Sequence, residues 1–150
     1  MVNLGELLGN KAEVLAQKTI EVGSVYRIKL DRKSGIIPKY GDDTRNKFFI
    51  ILGFDGQGNV YGGVIINSTI NANIPPVLKA LHLPIEVAKY DFLEYDSFVD
   101  CSSLKTTPLD GFSRWKYLGK MAKEDVETII EVLKTSPRID LGRLKDFGII

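Results

Sequence analysis

Apolar and polar residues alternate from Gly23 onward: in VYRIKL, Tyr26, Ile28 and Leu30 fall on one side, Val25, Arg27 and Lys29 on the other. A period of two is that of a half-buried strand. KFFIIL, residues 47–52, is short and apolar after its first residue, which predicts a buried strand. GFDGQGN follows with turn chemistry, Gly56 and Gly58 beside Asp55 and Asn59. VYGGVII returns as the next strand, in which Gly62 and Gly63 predict a bulge or sharp bend. IEVAKYDFL and SFVDC read as a hairpin-like pair turning at EYD, and LKTTPL as a short strand ended by Pro108.

A helical period governs the two ends. Leu4, Leu7, Leu8, Ala12 and Leu15, with Asn3 and Glu6 as a capping pair, predict a helix over about 4–17. Gly5 and Gly9 each cost it about 1 kcal/mol relative to Ala, so it depends on docking. Val126, Ile129, Ile130 and Leu133 predict a helix over 123–135, with Glu124 and Asp125 at its positive end, Lys134 at its negative end and Pro137 as the stop. Beyond it, Asp140 is placed to cap one more turn ahead of an apolar tail that should dock somewhere. Residues 31–46 read as a long exposed loop, and 67–84, with Pro75-Pro76, as a crossover holding a helical turn through Val77 to Leu81.

Short strands, glycine-rich turns and a closing helix predict a mainly β fold, a small and strongly bent SH3-like barrel. The expected division is an N-terminal helical extension over 1–21, the barrel over 22–136 and an apolar tail over 137–150.

Composition narrows the chemistry. The chain of 150 residues suits one domain, and 44% hydrophobic with 26% charged residues is ordinary for a globular protein. Twenty basic against 19 acidic residues leave a net charge of +1, so nucleic-acid binding requires a local patch. Cys101 is the lone cysteine and forms no internal disulfide, as suits a reducing cytoplasm. His82 is the lone histidine, so zinc sites built from several Cys and His are excluded. The N-terminus has no secretory pattern, and no run approaches the roughly 20 apolar residues of a membrane span. A cytoplasmic protein without membrane partner, metal or cofactor is the expectation; nucleotide-loop and serine-hydrolase motifs are missing.

Candidate sites remain. Arg45 and Lys47, at the head of a buried strand, are phosphate-binding candidates, against the plainer reading of solvated loop-end charges. Ser68 and Thr69 offer hydroxyls near the same end, either for a ligand or for capping a turn. Arg114 and Trp115 combine a cation with an aromatic, as a base-stacking surface does, or cover the barrel end. Cys101 reads as a core residue and His82 as structural; Glu94, Asp96 and Asp100 read as solvent-facing charge around a turn.

The order of segments VGSVYRIKL, KFFIILG, GGVIINST, SFVDCSSLKTT, YLGKM and EDVETIIEVL, over about residues 22–136, resembles the MazF/PemK-like toxin family. The resemblance implies an SH3-like barrel that cleaves single-stranded RNA without metal, through attack of the 2′-hydroxyl. It further implies a homodimer paired with a small antitoxin. FVDCSSLKTT would then be a strand, a turn at Ser102-Ser103 and a brief strand, with Lys105 and Thr106 in the RNA groove. Lys47 and Arg45 would stabilise the phosphate and Ser68 or Thr69 position the RNA. Lys47-Phe48 stands where the family has Arg-Pro, and Asp100 and Ser102 stand where its PemK-like branch has an acid–base Arg and Asp, which leaves the base unassigned. The alternative is a non-catalytic module binding protein or nucleic acid on the same barrel, including a CcdB-like gyrase-binding role suggested by the final Phe147-Gly148-Ile149-Ile150.

Overall fold

The computed structural model describes residues 20–31, 44–56, 60–109 and 114–150, without the side chains of Asp31, Thr44 and Arg45. The helix expected over 4–17, most of the 31–46 loop and part of the GFDGQGN turn lie outside the described residues. The described chain is mainly β. Six strands, β1 (Ser24–Asp31), β2 (Thr44–Phe54), β3 (Val60–Asn67), β4 (His82–Ile85), β5 (Ser97–Pro108) and β6 (Lys116–Lys120), form one antiparallel sheet ordered β4-β5-β3-β2-β1-β6. Helices α1 (Pro76–Lys79), α2 (Lys123–Leu133) and α3 (Leu141–Asp146) complete the described elements.

The unbroken apolar run of β2 has a direct cause: both faces of the central strands are buried. Val25, Ile50, Leu52, Val64 and Ile66 face a cluster completed by Ile129 and Leu133 of α2 and Leu144 of α3. Their neighbours Tyr26, Ile28, Phe49, Ile51 and Ile65 face a second cluster with Ile20, Tyr61 and Leu109, against which Trp115 packs. Alternation along each strand thus feeds two apolar layers rather than one.

The C-terminal segment docks as its pattern predicts. Asp140 caps α3, accepting from the Gly142 N–H at 2.9 Å, and Phe147 and Ile149 are buried. The Phe54 N–H donates to the Phe147 carbonyl at 3.0 Å. A Cβ at Gly53 would stand 2.2 Å from that carbonyl oxygen, so glycine is required for the approach.

Two expectations are corrected. IEVAKYDFL is not a hairpin arm: only its first residue, Ile85, is strand, as the end of β4, which otherwise lies in the expected crossover and pairs with β5, and residues 86–96 hold turns and bends. Tyr90 and Leu93 turn into the core instead of alternating along an edge. The Tyr90 hydroxyl accepts the Ala122 N–H at 3.0 Å and donates to Asp125, supplying the cap that Ala122 lacks at the start of α2.

Nor does the chain turn at Ser102-Ser103. β5 runs continuously through it, but Asp100 pairs with Ile65 and Lys105 with Gly63, so five steps on β5 face two on β3. The surplus is a bulge whose backbone groups find other partners. Cys101 N–H donates to Leu81 O at 3.0 Å, Ser102 N–H to Asp100 Oδ1 at 3.0 Å, and the Ser102 carbonyl accepts from the Ser136 hydroxyl at 2.5 Å.

Candidate functional site

The bulge opens onto a polar cleft of about 380 Å³. One wall is Lys47 on β2 with Asn67, Ser68 and Thr69 at the end of β3; the other holds Asp100, Ser102, His82 and Arg138. Ladder register explains the first wall: Phe48 pairs with Ile66, which sets Lys47 and Asn67 side by side, and Lys47 Nζ donates to Asn67 Oδ1 at 2.5 Å. Ile74 and Leu78, from the crossover and α1, supply apolar lining.

Register also builds the second wall. His82 is the cross-strand partner of Asp100, and its Nε2 lies 3.6 Å from Asp100 Oδ1. His82 Nδ1 is 2.8 Å from the Leu78 carbonyl; a carbonyl only accepts, so Nδ1 carries a proton and the ring plane is fixed. Asp100 Oδ1 accepts from both the Ser102 N–H, at 3.0 Å, and the Ser102 hydroxyl, at 2.5 Å. The carboxylate is therefore held rigidly, its side chain 15% exposed and that of His82 5%.

Lys105, beyond the bulge, has its ammonium lowered by burial, with Asp100 pulling it up and the charge of Arg138 pushing it down. Cys101, inside the bulge, is fully buried, and burial together with the Asp100 charge pushes its thiol up to about 12. It is a core residue without nucleophilic character. Among the described residues no group of three His, Cys, Asp or Glu side chains is arranged to hold a metal ion, and no helix is long and apolar enough to cross a membrane.

Of the expected site residues, Lys47, Ser68 and Thr69 come together in the cleft. The Arg45 backbone lies on β2 opposite Leu30, and its side chain lies outside the described residues. Lys105 and Thr106 sit opposite Gly63 and Gly62 on β5 and do not line the cleft. Arg114 and Trp115 also stand apart from it: Arg114 is exposed, and the Trp115 ring packs against Tyr26 and Tyr61 at centroid distances of 5.6 and 6.0 Å.

Sequence reasoning missed Asp100, His82 and Arg138 as neighbours. Asp100 is a half-buried member of the cleft wall, whereas Asp96 is exposed and caps the Val87 N–H at 2.9 Å. The available signal was Asp100 and Ser102 at strand spacing, two residues apart, which the Ser-Ser turn reading concealed. No family model and no curated protein matches the chain.

Proposed function

We propose that this chain is an endoribonuclease acting on single-stranded RNA without metal, built on an SH3-like barrel, and that it is the toxin of a toxin–antitoxin pair, working as a homodimer. The observation that carries this reading is the cleft in which Lys47, tied to Asn67, stands with Ser68 and Thr69 across from the rigid carboxylate of Asp100.

In this reading Asp100 is the base that sequence reasoning left unnamed. The 2′-hydroxyl gives its proton to the Asp100 carboxylate as its oxygen attacks the adjacent phosphorus. The bond to the 5′-oxygen breaks and that oxygen takes a proton from solvent water, leaving a 2′,3′-cyclic phosphate and a 5′-hydroxyl. Lys47 and Arg45 stabilise charge on the non-bridging oxygens, and Ser68 and Thr69 orient the strand. The Ser102 N–H and hydroxyl, both donating to Oδ1, orient Asp100, and His82, with Nδ1 anchored on Leu78, packs beside it.

The test is incubation of the protein with a long single-stranded RNA in EDTA, with the cut ends mapped. Discrete cuts ending in cyclic phosphate, slowed about 10²–10³-fold by Lys47→Ala and about 10²–10⁴-fold by Asp100→Asn, support the reading. Intact RNA at high protein excess removes it and favours the non-catalytic binding module.

A further inference from the structure

One cation of the cleft, Arg138, is assigned by neither the strand pattern nor the resemblance. We propose that Arg138 is a further phosphate-gripping cation of this cleft, beside Lys47, its guanidinium binding the non-bridging oxygens of a phosphodiester in a single-stranded nucleic acid.

Three observations carry this. First, the backbone of Arg138 is tied to the β5 bulge. The Ser136 hydroxyl, itself buried, donates to the Ser102 carbonyl of the β5 bulge at 2.5 Å and accepts the Arg138 N–H at 3.2 Å. Pro137 fixes φ between the two. The Arg138 backbone is thereby fastened to β5 two residues from Asp100.

Second, Arg138 lines the same cleft as Lys47 and Asp100, and none of the ion pairs among the described residues involves it. Arg143, farther along, lies over the Phe147 ring at 6.0 Å, so its charge is engaged in packing. Arg138 is exposed and has no such duty.

Third, the chemistry of the cleft matches an anion of this shape. The planar fork of arginine places two N–H groups on two oxygens of one phosphate, which a lysine point charge does not do. About 380 Å³ accommodates a phosphate with an adjoining sugar or base, and the apolar sides of Ile74 and Leu78 give that group a surface to lie on. The positive field of Arg138 reaches across the bulge, where it helps lower the Lys105 ammonium.

This inference shares its cleft with the ribonuclease reading and rests on it only for the cleavage measurement. Two readouts are taken on the whole chain: binding of a fluorescent 2′-deoxy single strand, which has no attacking hydroxyl, and cleavage of the matching RNA. The variants are Arg138→Ala, Arg138→Lys and, as a control for lost charge, the exposed Lys134→Ala. Thermal unfolding of each confirms the fold.

Arg138→Ala is expected to weaken deoxy-strand binding by about 10- to 100-fold, as for a lost charge-assisted hydrogen bond. Its salt slope falls by about 0.7, one phosphate contact. Arg138→Lys recovers binding only in part, and Lys134→Ala binds like the wild type. Equal binding by Arg138→Ala and wild type, or an equal loss in Lys134→Ala, overturns the assignment, whatever happens to RNA. Weakened binding in Arg138→Ala with no RNA cleavage by the wild type leaves the phosphate site standing and removes the ribonuclease reading.

Discussion

The Ser136 hydroxyl donates to the Ser102 carbonyl at 2.5 Å, stitching the turn after α2 to the bulge of β5. Both residues are buried, so water cannot take over the bond. Ser136→Ala leaves the carbonyl unsatisfied and is expected to lower stability by about 1–3 kcal/mol, read from the urea midpoint at unchanged slope. An unchanged midpoint would show that the stitch carries no stability.

Gly53 and Gly62 both lie beneath Phe147, and they differ in what a methyl group would strike. At Gly53 it meets the Phe147 backbone carbonyl at 2.2 Å; at Gly62 it meets the ring edge, nearest atom Cδ1, at 2.9 Å. A ring tilts more easily than a backbone shifts. Gly62→Ala is expected to cost about 1–3 kcal/mol and Gly53→Ala more, because it also breaks the Phe54 N–H bond to Phe147. Comparing their melting temperatures checks the order, and a milder Gly53→Ala would contradict it.

Partial burial pushes the Asp125 carboxyl up, but hydrogen bonds from the Tyr90 hydroxyl and the Lys89 ammonium outweigh it and hold the group below its ordinary value of 3.8. A depressed carboxyl stabilises the fold above that ordinary value, and its contribution disappears as pH falls through the lower folded one. Tyr90 runs the other way. Burial, then the bond to Asp125, push its hydroxyl up to about 12 from 10.0, so its stabilisation is full below pH 10 and fades as pH rises toward 12. Tyr90→Phe should cost about 1.5–3 kcal/mol at neutral pH and reduce the loss of stability at both extremes. Melting temperatures across pH decide this; curves that stay parallel to the wild type rule it out.

Burial lowers the Lys105 ammonium below 10.5, so holding the charge is less favourable in the folded chain than in the unfolded one. Stability therefore rises with pH between the lowered folded value and 10.5, where the unfolded chain holds more protons. Lys105→Met is expected to raise the neutral-pH melting temperature and remove that alkaline rise. If Lys105 contacts RNA, the same change weakens RNA binding, an exchange of stability for function. A lower melting temperature would refute the stabilisation.

The legible parts of this protein are those where one local period decides the outcome. KFFIIL is a strand because nothing else suits a short apolar run, and α2 follows from Val126, Ile129 and Leu133 on one face with Pro137 behind. The docked tail and its Asp140 cap were legible for the same reason. β4 was hidden because Pro75-Pro76 marks its whole segment as a crossover; on the edge of the sheet, opposite Phe98, Pro84 is tolerated. The bulge was hidden because Ser102-Ser103 carries the composition of a turn, and only Ser136, 34 positions away, supplies the missing donor. For the cleft, the β2–β3 wall with Lys47, Ser68 and Thr69 was readable from strand ends. The Asp100, His82 and Arg138 wall depends on tertiary pairings that no spacing encodes.

The docking of Phe147 and Ile149 over Gly53 and Gly62 also sets a schedule for folding. The segment that covers these glycines is synthesised after every strand of the described sheet, at roughly 5–20 residues per second. Until it arrives, the sheet emerges with a half-built apolar layer, and that uncovered face is open to association with another nascent chain. A chain interrupted before Phe147 would therefore suffer first in solubility, while its polar cleft on β2, β3, β4 and β5 would already have all the strands it needs.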